Sequence, residues 1–204
     1  MLSVHGLNTT GPWQKHITPI LSDHMLKCVP VDYGFNTLRA IRPRKLLSRA
    51  VDAFITDYER HADSEVPVGA IGHSFGTLVL GYALSAYRDL QVKRIILAGS
   101  ILKRAFDWES LIEAGQVEDV LNEVSRNDYV VRFCPLLHLL SFFSLPIGLS
   151  GSHGFSARVR QVQNRWHSAG HSGVLRELTC KRAWIPLIRG DCRAFDLSER
   201  ASSD

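Results

Sequence analysis

Residues 67–87 read PVGAIGHSFGTLVLGYALSAY. The first six are short, apolar and bounded by proline and glycine, the pattern of a strand buried on both faces. From Thr77 the run TLVLGYALSA is apolar over a helical length. Between the two lies Gly72-His73-Ser74-Phe75-Gly76, a G-x-S-x-G motif. In this context the serine sits on a sharp strand-to-helix turn with strained backbone. Glycines two residues to either side let neighbouring chain approach without a Cβ clash. The turn also puts Ser74 at the positive end of a helix, where a developing negative oxygen is favoured. Ser74 is the candidate nucleophile.

Outward from this stretch the chain alternates between the two periodicities. Strands are predicted over 1–5, 27–32 (interrupted by Pro30), 67–72, 93–98, 117–124 and 159–166. Helices are predicted over 12–24, 44–61, 75–87 and 172–180. The clearest helix is 44–61, where Leu47, Val51, Phe54, Ile55 and Tyr58 recur at helical spacing. Residues 117–124 fit either period, and the alternation assigns them to a strand. Strand–helix alternation of this kind implies one α/β domain over 1–195, a mostly parallel sheet with helices on both faces, followed by a polar tail at 196–204.

Composition is that of an ordinary globular chain. Of 204 residues, 45% are hydrophobic and 22% charged, which argues against wholesale disorder. The formal charge of +4 is spread along the chain. Its densest stretch, Arg39 to Arg49, reads as a solvated helix face, with an acidic partner or a membrane surface as the less expected alternative. No basic patch is interleaved with aromatics, so nucleic acid is not an expected partner. Cys28, Cys134, Cys180 and Cys192 form no CxxC pair and no zinc-ligand spacing, and neither metal nor organic cofactor is expected. Cys180 and Cys192 could pair in an oxidising compartment. The opening MLSVHG lacks the charged and apolar regions of a signal peptide, which makes the cytoplasm the default location.

Acyl transfer at a serine needs two backbone N–H groups aimed at the developing oxyanion. One is that of the residue after the nucleophile, Phe75. The other comes from a loop after an earlier strand, and His5-Gly6 marks that loop here. It is assigned to Leu7, with Asn8 as the alternative. An acid and then a base should follow the nucleophile along the chain. Asp128, just beyond the strand 117–124, is the expected acid; it could equally be a helix N-cap. Asp107, after the strand 93–98, is its rival. Among nine histidines, His5 belongs to the oxyanion loop, and His73 precedes the nucleophile and points away from it. His16, His24 and His61 sit on early helices, and His138 lies in an apolar run. His171, following the last strand after a short turn, is the expected base. His167 and His153 are the alternatives.

With His5-Gly6-Leu7-Asn8, Gly72-His73-Ser74-Phe75-Gly76, Asp128 and His171 in this order, the whole chain resembles the α/β-hydrolase superfamily. It is most similar to compact serine esterases and lipases. The opening HGLNTTGPW also resembles lipase-like proteins and the deacylases of lipid-anchored proteins, a likeness that sets no substrate. The resemblance implies a three-layer α/β-hydrolase fold. Two departures stand out: the usual first two strands are missing, and there is no inserted cap domain. It implies hydrolysis of small-molecule or lipid carboxylic esters through an acyl-enzyme, by a Ser74–His171–Asp128 triad. An acyltransferase or thioesterase with the same triad is the nearest alternative. A non-catalytic interaction protein of the same fold is the other.

One stretch stands apart. Phe133 to Ala157 contains no Asp, Glu, Lys or Arg, and FCPLLHLLSFFSLPIGL forms its 17-residue apolar core. Pro135, Pro146 and Gly148 break it, and it is short for a membrane span. It is either buried core or a wall beside the site. On the second reading Asn8, Leu136 and Leu140 line an acyl pocket, and longer acyl chains are preferred to acetyl.

Overall fold

The structure, a computed structural model, describes residues 1–7, 11–34, 43–62, 66–133 and 145–190. Six strands form one sheet: β1 (Leu2–Val4), β2 (Val29–Val31), β3 (Gly69–His73), β4 (Arg94–Ala98), β5 (Asp119–Ser125) and β6 (Val162–His167). Their order is β2-β1-β3-β4-β5-β6, and every neighbouring pair is parallel. Among the described residues there is no antiparallel edge pair. Pro30 is tolerated because β2 lies at the edge, where one side of the strand needs no ladder donor.

Parallel strands need crossover segments, and these cover both faces. The register shows how the sequence divides the work. Ile71, Ile96 and Leu121 stand side by side across β3, β4 and β5. They face α1 (Pro12–Asp23) and the last helical segment, burying Trp13, Ile17, Leu21, Trp184 and Leu187. The neighbouring row, Ala70, Ile95, Val120 and Val162, faces the other way. It meets α2 (Pro43–His61), α3 (Phe75–Ala86) and Trp108 of α4 (Trp108–Glu113). A residue slip in any strand would exchange these rows, so the two apolar layers fix the register. Arg44, Lys45 and Arg49 lie exposed on α2, as expected of a solvated face.

Most of the predicted elements are present with shifted ends. Residues 117–124 do form a strand, in the interior of the sheet. The predicted helix 172–180 is corrected. Residues 171–174 form a turn, and helix starts only at Glu177, running through Glu177–Thr179, a π-helical turn Cys180–Trp184 and Ile185–Arg189. The π turn delivers Trp184 to the sheet, where its indole N–H donates to Glu123 Oε1 at 2.8 Å. Arg165 Nε donates to both oxygens of the same carboxylate at 3.0 and 3.1 Å. Glu123 is fully buried; burial raises its pKa, and Arg165 pulls it back down. Sequence periodicity gives no warning of this polar cluster, which joins β5, β6 and the last helix. Cys180 is a buried free thiol.

The described part of the uncharged stretch, 145–157, packs partly into the core. Leu145 and Phe155 are buried, and Ser150–His153 forms a short helix. Gly148 and Gly151 lie flat on the loop after β4: Gly148 N–H donates to Ile101 O and Gly151 N–H to Ser100 O. A Cβ on Gly151 would stand 2.4 Å from Ser100 N. Phe133 is exposed. Asn8, Cys134, Leu136, His138, Leu140, Cys192 and the tail 196–204 lie outside the described residues. No helix among the described residues is long and apolar enough to cross a membrane.

Helix α3 packs backbone to backbone on β1. A Cβ on Gly76 would lie 2.2 Å from Val4 O, with no flexible side chain to move aside. Gly76→Ala should therefore push α3 off the sheet and cost at least about 3 kcal/mol, the upper end for overpacking a core. Urea denaturation measures this directly; an unchanged midpoint would contradict the packing described.

Candidate active site

The chain turns back on itself after β2. It runs from β1 to β2 on one side and returns past β1 to β3 on the other. A crevice opens outside the C-terminal ends of the strands at such a switch point, and open α/β sheets bind their ligands there. β1 ends in His5-Gly6 and β3 ends in His73-Ser74, so both motifs singled out from sequence meet at this crevice. The contact is close: a Cβ on Gly6 would lie 3.1 Å from Ser74 Cβ and 3.5 Å from His73 Nδ1.

Ser74 has φ 54° and ψ −117°, a positive φ that side-chain-bearing residues rarely adopt. Its own backbone bonds hold it there. Ser74 N–H donates to Ala98 O at 3.0 Å, and Ser74 O accepts from Thr77 N at 3.0 Å and Thr77 Oγ1 at 2.6 Å. Phe75, the first residue of α3, has an N–H that no intrahelical carbonyl can reach. Leu7 is half-buried against the core beside the crevice.

Asp128 and His171 are brought into contact. His171 Nδ1 lies 2.8 Å from Asp128 Oδ2 and 3.0 Å from Oδ1. A carboxylate can only accept, so Nδ1 carries the proton and Nε2 is left as the acceptor of the neutral ring. Asp128 is only 1% exposed. The same carboxylate also caps the segment that follows, because Oδ1 accepts from Val131 N at 2.9 Å at the start of a helical turn. The loops carrying the pair are bound to each other. Ser125 Oγ donates to Ala169 O, and Asn127 Nδ2 donates to Ser168 O at 3.0 Å.

The rivals are placed elsewhere. Asp107 is an exposed N-cap of α4, accepting from Ser110 N at 3.1 Å and Ser110 Oγ at 2.7 Å. His167 Nδ1 accepts from Ala169 N–H, and exposed His153 contacts Ser152 Oγ.

Sequence reasoning missed three contributors. Gly99, with φ 56°, ends β4 beneath the pair; a Cβ there would lie 2.7 Å from His171 Cε1 and 3.3 Å from Asp128 Oδ2. Ser74 is bonded to Ala98, the preceding residue, so Ser74, Asp128 and His171 converge on one strand end. His73, set aside in the sequence, packs its ring 4.8 Å from that of His171, and its Nε2 faces His171 O and Ser172 Oγ. Tyr33, after β2, donates to His5 O. Each follows a strand end, but strand order, which sequence does not reveal, decides which strand ends are neighbours. Among the described residues no three His, Cys, Asp or Glu are grouped as metal ligands.

A family model described as alpha/beta hydrolase matches residues 29–107. The chain is an α/β-hydrolase-fold protein. Solved structures of this fold resemble it over nearly its whole length. The metagenome-derived lipolytic enzymes LipS and LipT give a TM-score of 0.62 at 16% identity, covering 93% of this chain and 92% of that one. Est1E from Butyrivibrio proteoclasticus gives 0.52 at 14%, covering 87% and 82%. A putative α/β hydrolase of unknown function from Agrobacterium tumefaciens gives 0.57 at 12%, covering 95% and 87%. At these identities the likeness carries the fold and not the substrate. No curated protein matches the sequence.

Burial gives this hydrolase fold a pH signature. The His73 pKa is lowered to about 4, chiefly by burial and then by His171. An unfolded chain would protonate His73 near 6.5, so between pH 6.5 and 4 it binds the extra proton. Stability is then full above 6.5 and falls with acidification, by up to about 1.4 kcal/mol per pH unit for this one group. Urea midpoints measured from pH 7 to 4 should decline, and His73→Gln should flatten the decline. An equal slope in the variant would count against this assignment.

Proposed function

We propose that the chain is a serine hydrolase of carboxylic esters working through an acyl-enzyme, with small-molecule or lipid esters as substrates. The observation that carries this reading is the Asp128–His171 contact at the strand end that also anchors the strained Ser74 turn. In this scheme Ser74 Oγ attacks the ester carbonyl carbon and passes its proton to His171 Nε2. Asp128 holds the ring in the tautomer that leaves Nε2 free and stabilises the imidazolium that results. The carbonyl oxygen becomes an oxyanion received by the N–H groups of Phe75 and Leu7. Collapse expels the alcohol, protonated by His171. Water, deprotonated by the same ring, then releases the acid and regenerates Ser74. The esterase and lipolytic names among the structural neighbours support this class of substrate; acyl-chain preference rests on residues such as Leu136 and Leu140, outside the described set.

Ser74→Ala should abolish turnover of a p-nitrophenyl ester while the circular dichroism spectrum stays unchanged. Asp128→Asn and His171→Ala should each lower kcat by about 10⁴, the scale of triad losses elsewhere. Turnover surviving in Ser74→Ala, or lost only in Asp107→Asn or His167→Ala, would overturn the assignment.

A further inference from the structure

Tyr33 lies two residues beyond β2 and is buried, 5% exposed. A phenol out of water needs a partner for its O–H. Its single proton is shared between two successive carbonyls of the loop after β1: His5 O at 2.5 Å and, on the longer arm, Gly6 O at 3.2 Å. The ring stacks on the His5 imidazole, 4.2 Å between centroids and 9° between planes. His5 Nδ1 lies 2.7 Å from Gly6 O and, facing a carbonyl, must donate. The Gly6 carbonyl is thus held by two donors, a phenol and an imidazole, that are themselves stacked. The Tyr33 ring also leans on Phe75, 6.2 Å away, the residue after the nucleophile.

The consequence lies in the peptide plane. The C=O of Gly6 and the N–H of Leu7 belong to one trans peptide and point in opposite directions. Fixing the carbonyl fixes the N–H. We infer that Tyr33 is a positioning residue for the oxyanion hole, aiming the Leu7 N–H by holding the Gly6 carbonyl from behind. This rests on the proposed serine-hydrolase reading. It goes beyond it in assigning the aim of one donor to a side chain on a different strand. A phenylalanine would supply the same stacking and the same contact with Phe75; only the hydroxyl performs this task. Burial pushes the phenol pKa well above its ordinary value, so the hydroxyl remains a donor at any working pH. Preorganised donors are the part of such a site that acts on the transition state and not on the bound ester.

The test is Tyr33→Phe in the full chain, beside wild type and Ser74→Ala. With a p-nitrophenyl ester, kcat should fall about 10- to 100-fold, the scale of a misaimed rather than deleted group. KM should stay within about threefold, because the lost interaction belongs to the transition state. Affinity for phenyl trifluoromethyl ketone, which forms a serine-bound oxyanion, should fall by the same factor as kcat/KM. Unchanged kcat in Tyr33→Phe, or a raised KM with kcat intact, overturns the inference, while a dead Ser74→Ala leaves the hydrolase reading standing. An active Ser74→Ala overturns that reading instead. Should Tyr33→Phe not fold, site-specific 4-fluorophenylalanine at position 33 fills the space of the phenol without its donor; kcat should fall as in Tyr33→Phe, and wild-type kcat in that variant rejects the clamp.

Discussion

The backbone of Ser74 is the constraint to which the surrounding structure answers. A non-glycine residue at positive φ costs on the order of 1–3 kcal/mol and persists only where its surroundings over-determine it. Here β4 receives its N–H and Thr77 closes on its carbonyl. The helix that follows is packed against β1 so closely that only glycine fits at position 76. The same closeness brings Gly6 against Ser74. A turn held this firmly keeps its side chain at one place on the crevice, so the cost of strain is met by the sheet and not by substrate.

A parallel sheet makes such a site possible because all its strands end on one edge. Each of the six contributes there. β1 supplies His5 and Gly6, β2 Tyr33, β3 His73 and Ser74, β4 the Ala98–Gly99 end, β5 Asp128 and β6 the turn with His171. The contributors are far apart in sequence yet bound pairwise: Tyr33 to the β1 loop, Ser74 to Ala98, His73 to the His171 turn, Asp128 to His171. These contacts are local hydrogen bonds between short loops, and the buried Glu123–Arg165–Trp184 cluster keeps β5 and β6 in register beneath them.

Much of this was legible in the sequence, for identifiable reasons. Strands buried on both faces leave short β-branched runs, and β3, β4 and the ambiguous 117–124 were recoverable from them and from their alternation with helices. Ser74 was legible because its turn demands glycines at fixed positions. Asp128 and His171 were legible only as an order along the chain, with Asp107, His153 and His167 as alternatives; the fold adds that Asp128 and His171 are in contact. What stayed hidden depends on neighbours across space. The helix after His171 starts at Glu177 because the preceding residues turn to present the imidazole, a tertiary demand that overrides local propensity. Tyr33 and Gly99 carry no motif. Their places at the site follow from β2 lying beside β1 and from β4 ending under His171. Hydrophobicity alone leaves the apolar run open between core and pocket wall; its Leu145 is buried in the core.

In the proposed mechanism the Ser74 hydroxyl is activated by the Asp128–His171 pair. Peptide mapping by mass spectrometry after reaction with a fluorophosphonate, in wild type and in His171→Ala, tests this directly. One phosphonyl adduct is expected in wild type, on the peptide containing Ser74, with labelling of the variant slowed by orders of magnitude. An adduct on a different serine, or equal labelling without His171, would contradict it.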